Sequence, residues 1–267
     1  MQRAATGYAY LDDAQGSVIA MAHRGGAAHP DLKGLENTAH AFRHAVGLGY
    51  RYLETDVHVA ADGSLLAFHD AVLDRVTDQS GALADATTAV LGRARIGGTH
   101  PIPLMADLLE EFVGARFNID LKGDGAGPAL ADLLDVTGSH DRVCVGSFSA
   151  RRIAAFRART RGRVATSAAP VEVAAFVALP SGRLARAVTR GQVAAVQVPH
   201  RRGAVPIVTR SFVRRAHAAG AHVHVWTVDD PVEMNELIDL GVDGLITDRT
   251  DLLKDVLTAR GLWKDPA

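Results

Sequence analysis

Residues 54 to 70, ETDVHVAADGSLLAFHD, carry two carboxylates two positions apart and, after a turn, His69 followed by Asp70. Successive side chains of a strand point to opposite faces, so Glu54 and Asp56 share one face while Thr55 and Val57 take the other. Two like charges side by side raise each other's cost of ionisation. A hard divalent cation turns that repulsion into coordination. A third acid stands in NIDLK, where Asn118, Asp120 and Lys122 share a face, and His23 and Arg24 precede paired glycines in AHRGG. Glu54, Asp56 and Asp120 are therefore candidate oxygen ligands for one Mg2+ or Ca2+ ion, with positions left for water and a phosphate oxygen. Arg24 and Lys122 bring positive charge to the other phosphate oxygens. His23 and His69 titrate nearest neutral pH, so one can take a proton from a nucleophile while the other gives one to a leaving alkoxide. The sum is phosphodiester cleavage.

Elements must bring these groups together. Short apolar runs at 17–22, 51–56, 116–121, 142–147, 163–168, 194–199, 222–227 and 243–247 alternate with helical patterns such as TAHAFRHAVGLG, ALADLLDVTG and TDLLKDVLTARG. Eight strand–helix units predict a (β/α)8 TIM barrel, in which catalytic groups sit at the C-terminal strand ends. His23, Glu54, Asp56, Asp120 and Trp226 all fall there. Asp62-Gly63 between VHVA and LLAF predicts a hairpin on the second strand that carries His69 back over the acids. Thr77 to Pro103, rich in Gly and Pro, reads as an insertion before the third unit.

The chain has 267 residues, 48% hydrophobic and 22% charged, enough for a large core, and no run approaches the length needed to span a bilayer. A net charge of −1 excludes a field favouring nucleic acid or a membrane surface. The single Cys144 leaves no internal disulfide and fits a reducing compartment. MQRAATGYAYLDDAQGS lacks the charged start and apolar core of an export signal, so a cytoplasmic location is expected. One domain over 1–267, with a core from about 18 to 251, is expected; oligomeric state is not legible.

AHRGG, LENTAHAF, ETDV with a following HD, NIDLK, and WTVDD with GVDGLITD resemble, in order and over nearly the whole chain, the glycerophosphodiester phosphodiesterases. The resemblance implies a barrel of the phospholipase C-like phosphodiesterase type and a divalent metal. It also implies hydrolysis of small-molecule glycerophosphodiesters to sn-glycerol 3-phosphate and an alcohol. It assigns acid/base roles to His23 and His69, metal to Glu54, Asp56 and Asp120, phosphate to Arg24 and Lys122, and site support to Glu36 and Asn37. In that family the glycerol 2-hydroxyl is thought to attack phosphorus first. The third acid, however, is often glutamate there. Aspartate is shared with sphingomyelinase D and phospholipase D enzymes, whose cysteine-containing loop does not follow His69-Asp70 here.

Plainer readings stand beside these. Glu36-Asn37-Thr38 also suits the cap of the helix that follows. Trp226 is either core or a wall against glycerol or the alcohol. His40, His44 and His217 read as packing or surface residues, and the arginines of ARRIAAFRARTRGR as a solvated helix face. A barrel that only binds phosphodiesters is the rival class, but it has no need of an acid/base pair. Dinucleotide binding fails, because Arg24-Gly25-Gly26 lacks the G-x-G-x-x-G spacing.

Overall fold

The computed structural model describes residues 6–12 and 17–264; the amino-terminal reading above and the ends of the expected domain fall partly outside them. Eight parallel strands form the barrel: β1 (Ile19–His23), β2 (Tyr52–Val59), β6 (Arg116–Leu121), β7 (Val143–Gly146), β8 (Ala165–Thr166), β9 (Ala195–Pro199), β12 (His222–Trp226) and β13 (Gly244–Thr247). They follow one another around the sheet in chain order, with β1 between β13 and β2. Bonds from Ala194 N to Thr166 O and from Ala168 N to Ala195 O, each 2.9 Å, bring β8 and β9 together and nearly close it.

Helices α2 (Ala39–Gly47), α4 (Met105–Glu111), α5 (Ala126–Thr137), α6 (Ala150–Thr160), α7 (Pro170–Ala178), α9 (Arg210–Ala218), α10 (Pro231–Leu240) and α11 (Thr250–Ala259) lie between or after the strands. They bury an apolar face, exemplified by Phe42, Leu130, Phe156, Phe212 and Leu253, against the outward-facing strand residues. Sequence patterning missed α8 (Gly182–Val188), only two turns long, and α1 (Ala9–Asp12). In α1, Tyr10 and Leu11 pack with Ile19, Met21 and Tyr52, and Tyr52 Oη donates to Tyr10 O at 2.8 Å. Ile19 and Tyr52 begin their strands, so α1 lies at the end of the barrel away from the strand C-termini. None of the described helices is long and apolar enough to cross a membrane.

The hairpin forms as expected: β2 runs on through Val59 and pairs antiparallel with β3 (Leu65–Ala67), Val57 opposite Ala67. The insertion is better ordered than its Gly and Pro content suggests. It contains α3 (Thr88–Leu91) and a ribbon of β4 (Arg95–Ile96) with β5 (His100–Pro101), and Leu73, Leu83, Leu91 and Ile96 form their own core with Leu66 and Phe68 of the hairpin arm. That packing anchors the segment leading to His69. A second two-residue ribbon, β10 (Arg201–Arg202) with β11 (Val205–Pro206), follows β9.

Candidate active site

Strand register does much of the assembly. His23 lies beside Glu54 and Glu54 beside Asn118, while Asp56 lies beside Asp120 and Asp120 beside Gly146. A cavity of about 510 Å³ opens over these strand ends, and His23, Arg24, Glu54, Asp56, His69, Asp120, Lys122 and Trp226 all line it. Glu36 and Asn37 stand behind that lining. Every residue singled out from the sequence thus reaches one region, and the hairpin returns His69 to it.

The turn after β1 is shaped by close packing. A Cβ on Gly25 would meet Ala41 Cβ at 2.7 Å, and one on Gly26 would meet Thr250 at 2.9 Å, with both backbones at positive φ. Arg24 and Asn37 adopt left-handed conformations, φ 50 and 58, which non-glycine residues take only when the surroundings hold them. Asn37 N donates to Arg24 O at 2.9 Å. Arg24 N donates to Glu54 Oε2 at 3.1 Å, and its side chain reaches Glu36 at 3.0 Å and Asp56 at 3.1 Å. Asn37 Nδ2 donates to Asp56 Oδ2 at 3.3 Å, and Asn37 Oδ1 accepts from Thr55 Oγ1 at 2.8 Å. Capping falls to Thr38, whose hydroxyl accepts from Ala41 N, so the two readings of this motif divide between neighbouring residues.

Each histidine is backed by a carboxylate. His23 Nδ1 donates to Asp248 Oδ1 at 2.8 Å, leaving Nε2 toward the cavity and 3.7 Å from Glu54. Burial pulls His23 down, but Glu54 and the Asp248 bond outweigh it and raise the ring to about 8. His69 Nδ1 donates to Asp70 at 2.5 Å, and His58 Nε2 bonds the His69 carbonyl at 3.0 Å. Arg75 ties Asp70 to Glu36. Its bond holds the Asp70 carboxyl below the usual range against burial, while at Glu36 burial is the largest effect and pushes up, and Arg75 and Arg24 together overcome it. Asp248 and Arg75 escaped the sequence reading. Asp248 follows a barrel strand within the quoted GVDGLITD, where the strand-end rule points; Arg75, in the irregular insertion, carries no such signal. Asp229 of WTVDD accepts from Thr247, Asp248 N and Arg249 N and so fixes the loop that presents Asp248.

Glu54 and Asp56 are buried and shifted in opposite directions. Burial, then the Asp56 charge, pushes Glu54 up to about 7. Burial also works against Asp56, but Lys122 and Arg24 overcome it and hold its carboxyl low. Lys122 Nζ lies 3.0 Å from Asp56 Oδ1 and 2.6 Å from Asp120 Oδ2. The three acids do not all approach within 4.8 Å of one another, and the Lys122 ammonium bridges two of them. A divalent cation nevertheless suits this donor set. The groups are hard oxygens, Asp120 Oδ1 is buried without a hydrogen-bond partner, and Gly146 keeps space beside it.

The far wall is apolar. Trp226, half-buried, packs edge-on against Phe148 at 5.9 Å between ring centres, and Phe148 remains 66% exposed. Lys122 Nζ stands 5.6 Å from the Phe148 ring. Gln197 bridges Asn118 at 2.8 Å and His224 at 3.2 Å beneath the acids. Cys144 is buried in β7, its thiol pushed up to about 12 chiefly by burial, which leaves it inert. One expectation is corrected: within α6, Arg157 is not solvated but buried, bonded to Glu172, Thr166 and Ser167.

Residues 23–252 match the sequence model of the Glycerophosphoryl diester phosphodiesterase family. A relative from Mycobacterium tuberculosis, "Probable glycerophosphodiester phosphodiesterase 2", is 42% identical over 251 residues, covering 93% of this chain and 94% of that protein. A glycerophosphodiester phosphodiesterase from Agrobacterium tumefaciens superposes with a TM-score of 0.73 at 23% identity, covering 89% of this chain and 99% of its own. An Oleispira antarctica phosphodiesterase, solved in complex with the product sn-glycerol-3-phosphate, gives 0.72 at 21% identity, with 91% and 97% covered.

Proposed function

Because the chain belongs to the glycerophosphoryl diester phosphodiesterase family, we propose that it hydrolyses glycerophosphodiesters to sn-glycerol 3-phosphate and an alcohol, using His23 and His69 as the proton-transfer pair. The observation that carries this reading is the convergence of two carboxylate-backed histidines, three acids, Arg24 and Lys122 on one cavity.

Glu54, Asp56 and Asp120 would hold a divalent ion, Mg2+ or Ca2+. When bound, such an ion neutralises charge on the phosphoryl oxygens. Arg24 and Lys122 add donors for the remaining oxygens. Asp248 and Asp70 fix the tautomer of each ring, so that Nε2 of both faces the substrate. One ring takes the proton of the attacking hydroxyl, and the other protonates the departing alkoxide. Attack by the glycerol 2-hydroxyl, favoured by its effective molarity next to phosphorus, expels the alcohol and leaves a cyclic phosphate, which water then opens to sn-glycerol 3-phosphate as the two rings exchange roles. Trp226 and Phe148 form the wall against glycerol or the alcohol substituent. The ligand is a small molecule; nothing in the charge pattern serves nucleic acid.

The test is a panel of glycerophosphodiesters differing in their alcohol, assayed by coupled detection of sn-glycerol 3-phosphate, with metal-stripped protein as control. Mg2+ or Ca2+ should restore activity that the chelator removed. Release of phosphocholine from glycerophosphocholine in place of sn-glycerol 3-phosphate would overturn the assigned cleavage, and full activity in excess chelator would overturn the metal.

A further inference from the structure

Outside the cavity, one ligand atom each from His29, Asp31 and His44 lies within 4.8 Å of the other two. We propose that these three residues form a second metal site, independent of the cavity acids, that takes Zn2+.

His29 and Asp31 belong to the loop after β1, where a single 3-10 turn spans Pro30–Leu32; His44 lies in the body of α2. The two rings are packed with centres 4.4 Å apart. His29 Nδ1 accepts from Asp31 N at 3.2 Å and lies 3.9 Å from the Asp31 carboxylate, so its lone pair faces the cluster and a bound ion takes the place of that bond. The Asp31 carboxylate is 77% exposed, so an ion has a route from solvent, whereas the His29 side chain is only 10% exposed. His44 Nδ1 is buried and has no hydrogen-bond partner, an arrangement that costs free energy unless something supplies one. A metal ion supplies it. Asp251, at the start of α11, acts electrostatically on both rings and adds negative charge nearby.

Two imidazoles and one carboxylate favour a borderline ion, whereas Mg2+ and Ca2+ prefer oxygen alone. Tetrahedral Zn2+ with ligands at about 2.0–2.1 Å needs donor atoms roughly 3.4 Å apart. Small rotations of the exposed Asp31 and of the His44 ring close that gap, with water as the fourth ligand. The bound ion would clasp the loop that carries Arg24, Glu36 and Asn37 onto α2.

The experiment measures Zn2+ stoichiometry and affinity by competition with a chromophoric chelator. It uses tag-free protein held in excess Ca2+, with Co2+ absorption reporting nitrogen ligation. The wild type is expected to retain one Zn2+ that Ca2+ does not displace. His44→Gln and the exposed-site variant Asp31→Ala should each weaken it tenfold or more while circular dichroism stays unchanged. Zn2+ binding that is absent, displaced by Ca2+, or equal in wild type and both variants would overturn the site.

Discussion

Replacing Lys122 by methionine separates the two cations that the acids can use. The substitution keeps the aliphatic stem beside Phe148 and removes the ammonium that lies 3.0 Å from Asp56 and 2.6 Å from Asp120. Breaking a fully buried ion pair costs about 3–5 kcal/mol. Lys122 is 20% exposed and Arg24 still faces Asp56, so about 2–3 kcal/mol is the better figure here. For a chain of this size that lowers Tm by about 4–6 °C, taking roughly 2 °C per kcal/mol. The assay is thermal unfolding followed by circular dichroism, once in chelator and once in saturating Ca2+ or Mg2+. In chelator the variant should show the full deficit. With the divalent ion the deficit should fall by half or more, because the ion replaces the missing charge against Asp56 and Asp120, and ligand binding to the folded state raises stability by mass action. A Tm that the ion raises in neither protein would refute metal binding by these acids, and an equal rise in both would refute the exchange of one cation for the other. No deficit in chelator would refute the compensating role of the ammonium.

His23→Ala and His69→Ala should each lose about 10²–10⁴-fold in kcat while metal affinity, read by calorimetry, persists; near-full turnover in either would remove that ring from the proton-transfer pair. Asp120→Asn should lose metal affinity far more than Tm, since Asp120 is 15% exposed and shares its charge with Lys122; unchanged affinity would place the third ligand elsewhere. Asp248→Asn tests the backing of His23. That ring is raised to about 8, so its charged form persists above its ordinary 6.5, and the stability it contributes, complete below 6.5, is lost as pH rises through 8. Removing the Asp248 carboxylate should move the corresponding alkaline limb of kcat/KM to lower pH, and an unmoved limb together with wild-type rate would count against the pairing.

The alternation of β2 put Glu54 and Asp56 on one face, Asp62-Gly63 marked the hairpin that returns His69, and eight strand–helix units marked the barrel. These features were legible because pleat, turn and amphipathic period are local, written within a few residues of one another. The same locality explains the misses. Four residues of α1 are too short to establish a period. Helix α8 buries only Gly182 and Ala185 while Leu184 and Val188 face outward, so it writes no apolar stripe, and the insertion's core is assembled from residues scattered between Ala60 and Ile102.

What only the tertiary structure decided is which group answers which charge. His23 meets Asp248 across 225 positions and Gln197 meets Asn118 across 79. Arg157 turns inward because Glu172 comes from the following helix. Opposite shifts of Glu54 and Asp56, neighbours on one strand face, follow from Lys122 and Arg24 both standing against Asp56, and the charge that reaches Glu54 depends on how the strands are brought side by side. Composition and spacing name the charged residues. Their pairing and burial, and hence their chemistry, arise only when barrel closure brings distant strand ends into one low-dielectric space.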